Sequence, residues 1–188
     1  MSRAYRIQVK ESVTKIVRAE DHVSCELELL EILPCEQTAE LLAAELEKHG
    51  FTREGSESRR KSGEITVTVD LKSGSVTVSA EGTEKVQVEG TKEGYAFNET
   101  GTQQNARKEL AETLRKELDG KADLRKQDLQ KQVTDALESK LHDVRVELEA
   151  VVNRVTAEAL KQRAAQMGQI KTITEDPASG SMTIVVEV

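Results

Sequence analysis

Polar and apolar positions alternate at the start of the chain. Tyr5, Ile7 and Val9 fall between Arg6, Gln8 and Lys10, the two-residue period of a half-buried strand. After the polar pair Glu20 and Asp21 the alternation resumes with Val23, Cys25, Leu27 and Leu29. Taken locally, the two runs predict a long antiparallel hairpin turning near His22, with Glu26, Glu28 and Glu31 facing Arg6, Lys10 and Lys15 across the ladder. Beyond Pro34 the period changes to that of a helix. Ala39, Leu42, Ala43 and Leu46 share one face, and Gly50 supplies a C-terminal cap, which predicts a short amphipathic helix over residues 36–48 covering one face of the sheet.

Residues 51–97 return to strands. EITVTVDL and SVTVSA are joined by Lys72, Ser73 and Gly74, and KVQVEG follows Gly82, read as a turn, so that a meander is expected. Ile65, Val67 and Val69 with Val76, Val78 and Ala80 form its core face, and Thr66, Thr68, Ser75, Thr77 and Ser79 its wet face. The tail QIKTITEDPASGSMTIVVEV reads as a second hairpin with its turn at residues 176–180. With the first strands it suggests one antiparallel sheet fed by both ends of the chain.

Between these β regions lies a polar stretch over residues 103–167 with no aromatic residue. In it Leu137, Leu141, Val144, Leu148, Val151 and Val155 step by 4, 3, 4, 3 and 4, the seam of a helix packed along another helix. Leu110, Leu114 and Leu118, then Leu129 and Val133, continue the stripe in a shifted register. Gly120 interrupts it at a cost of about 1 kcal/mol relative to alanine. Two alternatives follow, a continuous or gently bent helix, or a helical hairpin broken at Gly120 with Asp123 capping the second limb. The fold class is therefore α+β: an antiparallel sheet with a short helix on one face and a long helical arm. The division expected is a β-rich body over residues 1–98, the arm over 99–167 and a C-terminal hairpin over 168–188 returning to the body.

Composition supports a small folded body with an extended element. The 188 residues are 37% hydrophobic and 32% charged, with two Phe, two Tyr and no Trp, so Leu, Val, Ile and Ala must supply the core. The net charge of −7 divides unevenly. Residues 103–167 carry 13 Lys or Arg and 12 Asp or Glu, a net of +1, leaving 14 against 22, or −8, for the remainder. An arm of mixed charge lacks the cation excess and interleaved aromatics of a nucleic-acid surface, so no nucleic acid is expected as partner. No apolar run is long enough to insert in a membrane and the N-terminus lacks a secretory core, which points to the cytoplasm.

Candidate chemistry is sparse. Cys25 and Cys35 lack CxxC spacing and read as small core residues. His22, His49 and His142 share no metal-ligand spacing; His49 fits a helix C-terminus and His142 the surface of the arm. Arg59, Arg60 and Lys61 read as a solvated loop. No GxSxG elbow, GxGxxG or phosphate loop occurs, so neither catalytic residue nor cofactor nor metal is expected.

The N-terminal stretch SRAYRIQVKESV, followed by LELLEILP and AELLAAELEKHGF, together with the closing hairpin, resembles bacterial accessory proteins encoded beside AAA+ ATPases and von Willebrand factor A proteins. The resemblance covers about the first third of the chain and carries over no functional residue. It implies ternary systems in which an ATPase, an adaptor domain and small accessory proteins act together in conflict or stress responses.

The reading that results is a non-enzymatic interaction protein. Its arm binds a protein partner or its own copy through Leu137, Leu141, Val144, Leu148, Val151 and Val155, with Lys140 and Glu147 setting register, and an AAA+ ATPase or a von Willebrand factor A protein is the partner implied by the resemblance. In the competing arrangement the same line packs on the protein's own sheet. The alternative function is a small-ligand-binding or enzymatic α+β domain with a site between sheet and helix.

Overall fold

The computed structural model describes residues 4–97, 100–176 and 181–187. Its elements are strand β1 (Ala4–Glu26), helix α1 (Cys35–Lys48), strands β2 (Thr52–Glu54), β3 (Glu57–Ser62), β4 (Ile65–Asp70) and β5 (Ser75–Phe97), helix α2 (Thr100–Met167), and strands β6 (Gln169–Asp176) and β7 (Ser181–Glu187). A five-stranded antiparallel sheet has the order β1-β5-β4-β3-β2, and β6-β7 form a second, two-stranded sheet. The fold is α+β. The expected feeding of one sheet by both chain ends is corrected, because β6 and β7 pair with each other, with Ile173 opposite Ile184. The turn expected at residues 176–180 and the boundary between residues 98 and 99 touch positions outside the described residues.

Contacts divide the chain into two compact units, Met1–Asp21 with Glu81–Asp135 (unit 1) and His22–Ala80 with Ala136–Val188 (unit 2). In unit 1, β1 and β5 form a ribbon with one face on α2. Ile7, Val17 and Ala19 of β1 and Val86 of β5 are buried there, as are Leu114, Leu118, Ala122 and Val133 of the helix. The hairpin expected near His22 does not form. β1 runs through Glu20 and Asp21 because their polarity serves the helix: the Gln130 amide donates to the Glu20 carbonyl at 3.0 Å and the Thr134 hydroxyl to the Asp21 carboxylate at 2.7 Å. Arg6 accordingly pairs with Glu93 and Lys15 with Asp119, instead of with the glutamates at 26–31.

Gly82 is not a turn either. A Cβ there would lie 2.8 Å from Val133, one at Gly90 would lie 2.9 Å from Leu114, and one at Gly94 would lie 2.7 Å from Leu110. These glycines of β5 let the ribbon approach the helix so closely that its leucines rest on backbone. At Gly120, in contrast, α2 continues without a break, and the site of a Cβ is open for 4 Å around. Strong helix formers on both sides, and the absence of proline, outweigh a single glycine.

Unit 2 holds the thicker core. Val67 and Val69 of β4 and Val76, Val78 and Ala80 of β5 are buried on one face, in register with Val67 opposite Val78 and Val69 opposite Val76. Ile65 is half-buried. On the other face Thr68 pairs with Thr77 and Thr66 with Ser79, and the Ser24 hydroxyl of β1 meets that of Thr77 at 3.1 Å. The connection from β4 to β5 is closed by the Asp70 carboxylate, which accepts from the backbone N–H of Lys72 and Ser73 and from the Ser73 hydroxyl. Those donors, Ser73 foremost, hold its carboxyl below the usual range. Cys25 and Cys35 are exposed free thiols, not core residues: both fall at element ends, where strand and helix periods no longer define an inward face.

Candidate functional site

Helix α1 begins after Pro34 and buries Ala39, Leu42, Ala43 and Leu46, the face legible in the sequence. Its end is a Schellman motif. The Gly50 N–H bonds the Glu47 carbonyl at 3.0 Å, the Phe51 N–H bonds the Leu46 carbonyl at 3.1 Å, and Gly50 takes the left-handed φ of 79° that this cap requires. The cap fixes two side chains. Phe51 turns into the core, and His49, the last half-helical residue, projects its ring toward α2.

From β3, Arg60 reaches the same place. Strand alternation places Ser58 and Arg60 on the core face of the sheet, opposite Val69 and Val67. The Arg60 guanidinium stacks 4.5 Å from the centroid of the Phe51 ring and donates to the His49 carbonyl at 2.8 Å. It also grips Glu147 of α2 through two parallel bonds of 2.6 Å. This bidentate fork is the strong form of the ion pair, and both side chains are about three-quarters buried, at 25% and 26% exposure. His49 Nδ1 stands 3.1 Å from the same carboxylate. Arg60, against the opposing effect of burial, holds the Glu147 carboxyl below its ordinary value, and His49 adds to this.

One turn earlier on α1, Glu45 is buried yet fully engaged. It accepts from Lys48 at 2.6 Å and from Arg154 of α2 at 2.9 Å, and these two cations, Lys48 first, keep its carboxyl low despite desolvation. Two carboxylates, on α1 and α2, are thus each held by a cation from another element of unit 2. Beside them a shallow cleft of about 180 Å³ is lined by Ser62, Ile65 and Val67 of the sheet and Lys140, Asp143 and Val144 of the helix, along with Arg60 and Glu147. Chemically the arrangement is a clamp: each charged group that faces inward is already satisfied by its neighbour. Among the described residues no group of three His, Cys, Asp or Glu side chains could hold a metal ion.

The seam residues lie in one line along α2. Leu137, Val144, Leu148, Val151 and Val155 are buried within the chain itself, and Leu141 is half-buried. Lys140 and Glu147 flank them, Lys140 pairing with Asp143 of the same helix and Glu147 with Arg60 of β3. His142 is exposed. The sequence reading missed Arg60, taking three adjacent cations for a loop. The signal that separates them is the strand period, which turns Arg60 inward and Arg59 and Lys61 outward.

Fold and clamp together define an α+β protein whose long helix is fastened to its own sheet. The chain belongs to the FtsH ternary system domain X5 family, whose model matches residues 1–188. The likeness seen in the first third of the sequence therefore extends over its whole length, and the family name places the chain among the accessory components of FtsH-associated, AAA+ ternary systems. No curated protein and no solved structure matches the chain. No helix among the described residues is long and apolar enough to cross a membrane.

Proposed function

We propose that the protein is a non-enzymatic cytoplasmic adaptor that docks on the AAA+ ATPase of its system through the exposed face of α2. The observation that carries this reading is the contrast between the two faces of the helix. The seam from Leu137 to Val155 is used to fasten α2 within the chain, whereas Val146, Leu160 and Met167 remain 53%, 39% and 61% exposed. With exposed Asn153 these positions step by seven residues, which keeps them on one side of the helix. A sparse apolar stripe with one polar position suits a helix or groove on a partner better than it suits a small ligand. The choice of an AAA+ ATPase as that partner is supported by the family name, which points to an FtsH-associated system. A von Willebrand factor A protein as a further component rests on the N-terminal resemblance alone.

The test is co-elution of the purified chain with the AAA+ ATPase of its own system. Leu160→Asp is expected to weaken binding about tenfold or more while leaving the circular dichroism spectrum unchanged, since Leu160 lies outside the set of fully buried core residues. Full binding by the double variant Val146→Asp, Leu160→Asp would remove this face from the reading. Failure of the unaltered protein to bind would remove the adaptor role itself.

A further inference from the structure

β1 is a terminal strand of the five-stranded sheet, and at 23 residues it is a long one. An edge of that length presents a row of backbone donors and acceptors, and proteins usually blunt such edges with proline, bulges, shortness or charged side chains, the last of which repel a second copy unless the register pairs them with opposite charge. Residues 4–26 contain neither proline nor glycine. What they contain is a sequence that complements itself when read backwards.

We propose that a second copy of this chain adds its own β1 antiparallel to this edge in unit 1, about a two-fold axis at Val13. Pairing about a residue, as opposed to a point between residues, keeps the side chains of both copies on their own faces. On the exposed face Arg6 then stands opposite Glu20 and Lys10 opposite Ile16. On the face that packs on α2, Ile7 meets Ala19 and Val9 meets Val17, while Glu11 stands opposite Lys15. Every cross-strand pair is complementary or neutral, which is what an isologous contact demands.

Neighbouring registers fail this criterion. An axis at Ser12 sets Arg6 against Arg18, and one at Thr14 sets Lys10 against Arg18. An axis at Glu11 or Lys15 opposes that charge to its own copy. Charge thus selects one register of five. The contact also builds on what is already ordered: Glu11 pairs with Arg115 at 3.5 Å and Lys15 with Asp119 at 2.5 Å within one chain, so bringing Glu11 of each copy beside Lys15 of the other joins these pairs into a larger alternating cluster. Ile16, 65% exposed on the outer face, gains cover from the stem of Lys10 of the second copy. The inference does not depend on the adaptor reading, which uses a different surface.

Sedimentation equilibrium tests it. The unaltered protein is expected to show twice the 20.8 kDa mass of the chain at about 100 μM. Ile16→Lys places a lysine opposite Lys10 twice over by symmetry and is expected to weaken the dimer about tenfold or more. Because Ile16 is exposed, circular dichroism should not change. Adding Lys10→Glu to that variant turns both repulsions into attractions and should restore the dimer, a rescue that only this register predicts. Leu160→Asp should leave the dimer intact. A single-chain mass for the unaltered protein, a dimer indifferent to Ile16→Lys, or no rescue by the double variant would overturn the proposal.

Discussion

The same helix meets β-structure in two ways. In unit 1 the leucines of α2 rest on glycines of β5, Gly82, Gly90 and Gly94, so contact is gained by bringing backbone close instead of by filling space with side chains. In unit 2 branched residues do the filling, with Leu42, Leu46, Val69, Val76 and Val151 each at 0% exposure, and two carboxylates clamped by cations set the orientation. A glycine contact is intolerant of any added atom yet buries little apolar surface per residue; a branched core buries more and depends on volume. Unit 1 should therefore be the region that opens first.

The largest effect is expected where that core is charged. Leu148 is 3% exposed on the seam, and Leu148→Asp both empties its volume and buries a carboxylate without a partner. The expected cost is about 4 kcal/mol or more, a large share of the stability of an ordinary domain. Urea denaturation followed by circular dichroism should show helix and strand signals lost together. A variant that keeps its strands while losing only an assembly would mean that the seam faces a partner.

Gly90→Val probes the other contact. Even the first carbon of that side chain would lie 2.9 Å from Leu114 Cδ1 and 3.1 Å from Leu118 Cδ2, and two further methyls follow. Because the obstacles are ends of flexible side chains, the cost should stay at about 1–3 kcal/mol. Hydrogen exchange should locate the loss of protection in residues 81–97 and 104–122, with unit 2 unchanged. Equal loss in both units would show that the two contacts are not separable in the way their packing suggests.

The sequence displayed the periods and hid the partners. The alternation in ITVTV and VTVSA and the helical face of α1 were legible because burial imposes a local repeat, and the seam was legible for the same reason. The continuity of β1 was not, since Glu20 and Asp21 look like a turn until Gln130 and Thr134, more than a hundred residues away, are seen to bond them. Gly82 misled for the same reason: a glycine that opens a turn and one that admits a leucine are the same letter. Arg60 and Glu147 are 87 positions apart, and neither signals that it needs the other. Pairing of distant polar groups leaves no periodic trace in either segment.

The clamp supplies the last and smallest test of the comparison. Glu147→Gln keeps an oxygen for Arg60 but removes the charge, leaving a largely buried guanidinium with neutral acceptors only. At neutral pH this should cost about 1–2 kcal/mol. The pH dependence follows from direction alone. Both Glu147 and Glu45 have carboxyl values lowered from 4.5 in the folded chain, so their contribution is fully present above the unfolded value and is lost as pH falls through the folded ones. The unaltered protein should therefore lose stability progressively below about pH 4.5, where the unfolded chain binds more protons than the folded one. In Glu147→Gln that slope should be shallower, and the two proteins should converge once the pH lies below the lowered folded value of Glu147, where protonation discharges the same carboxylate in the unaltered chain. Urea midpoints at three pH values measure this. A difference that stays constant from neutral to acid would mean that the side chain acts through shape, and that unit 2, like unit 1, is held by packing and not by its charges.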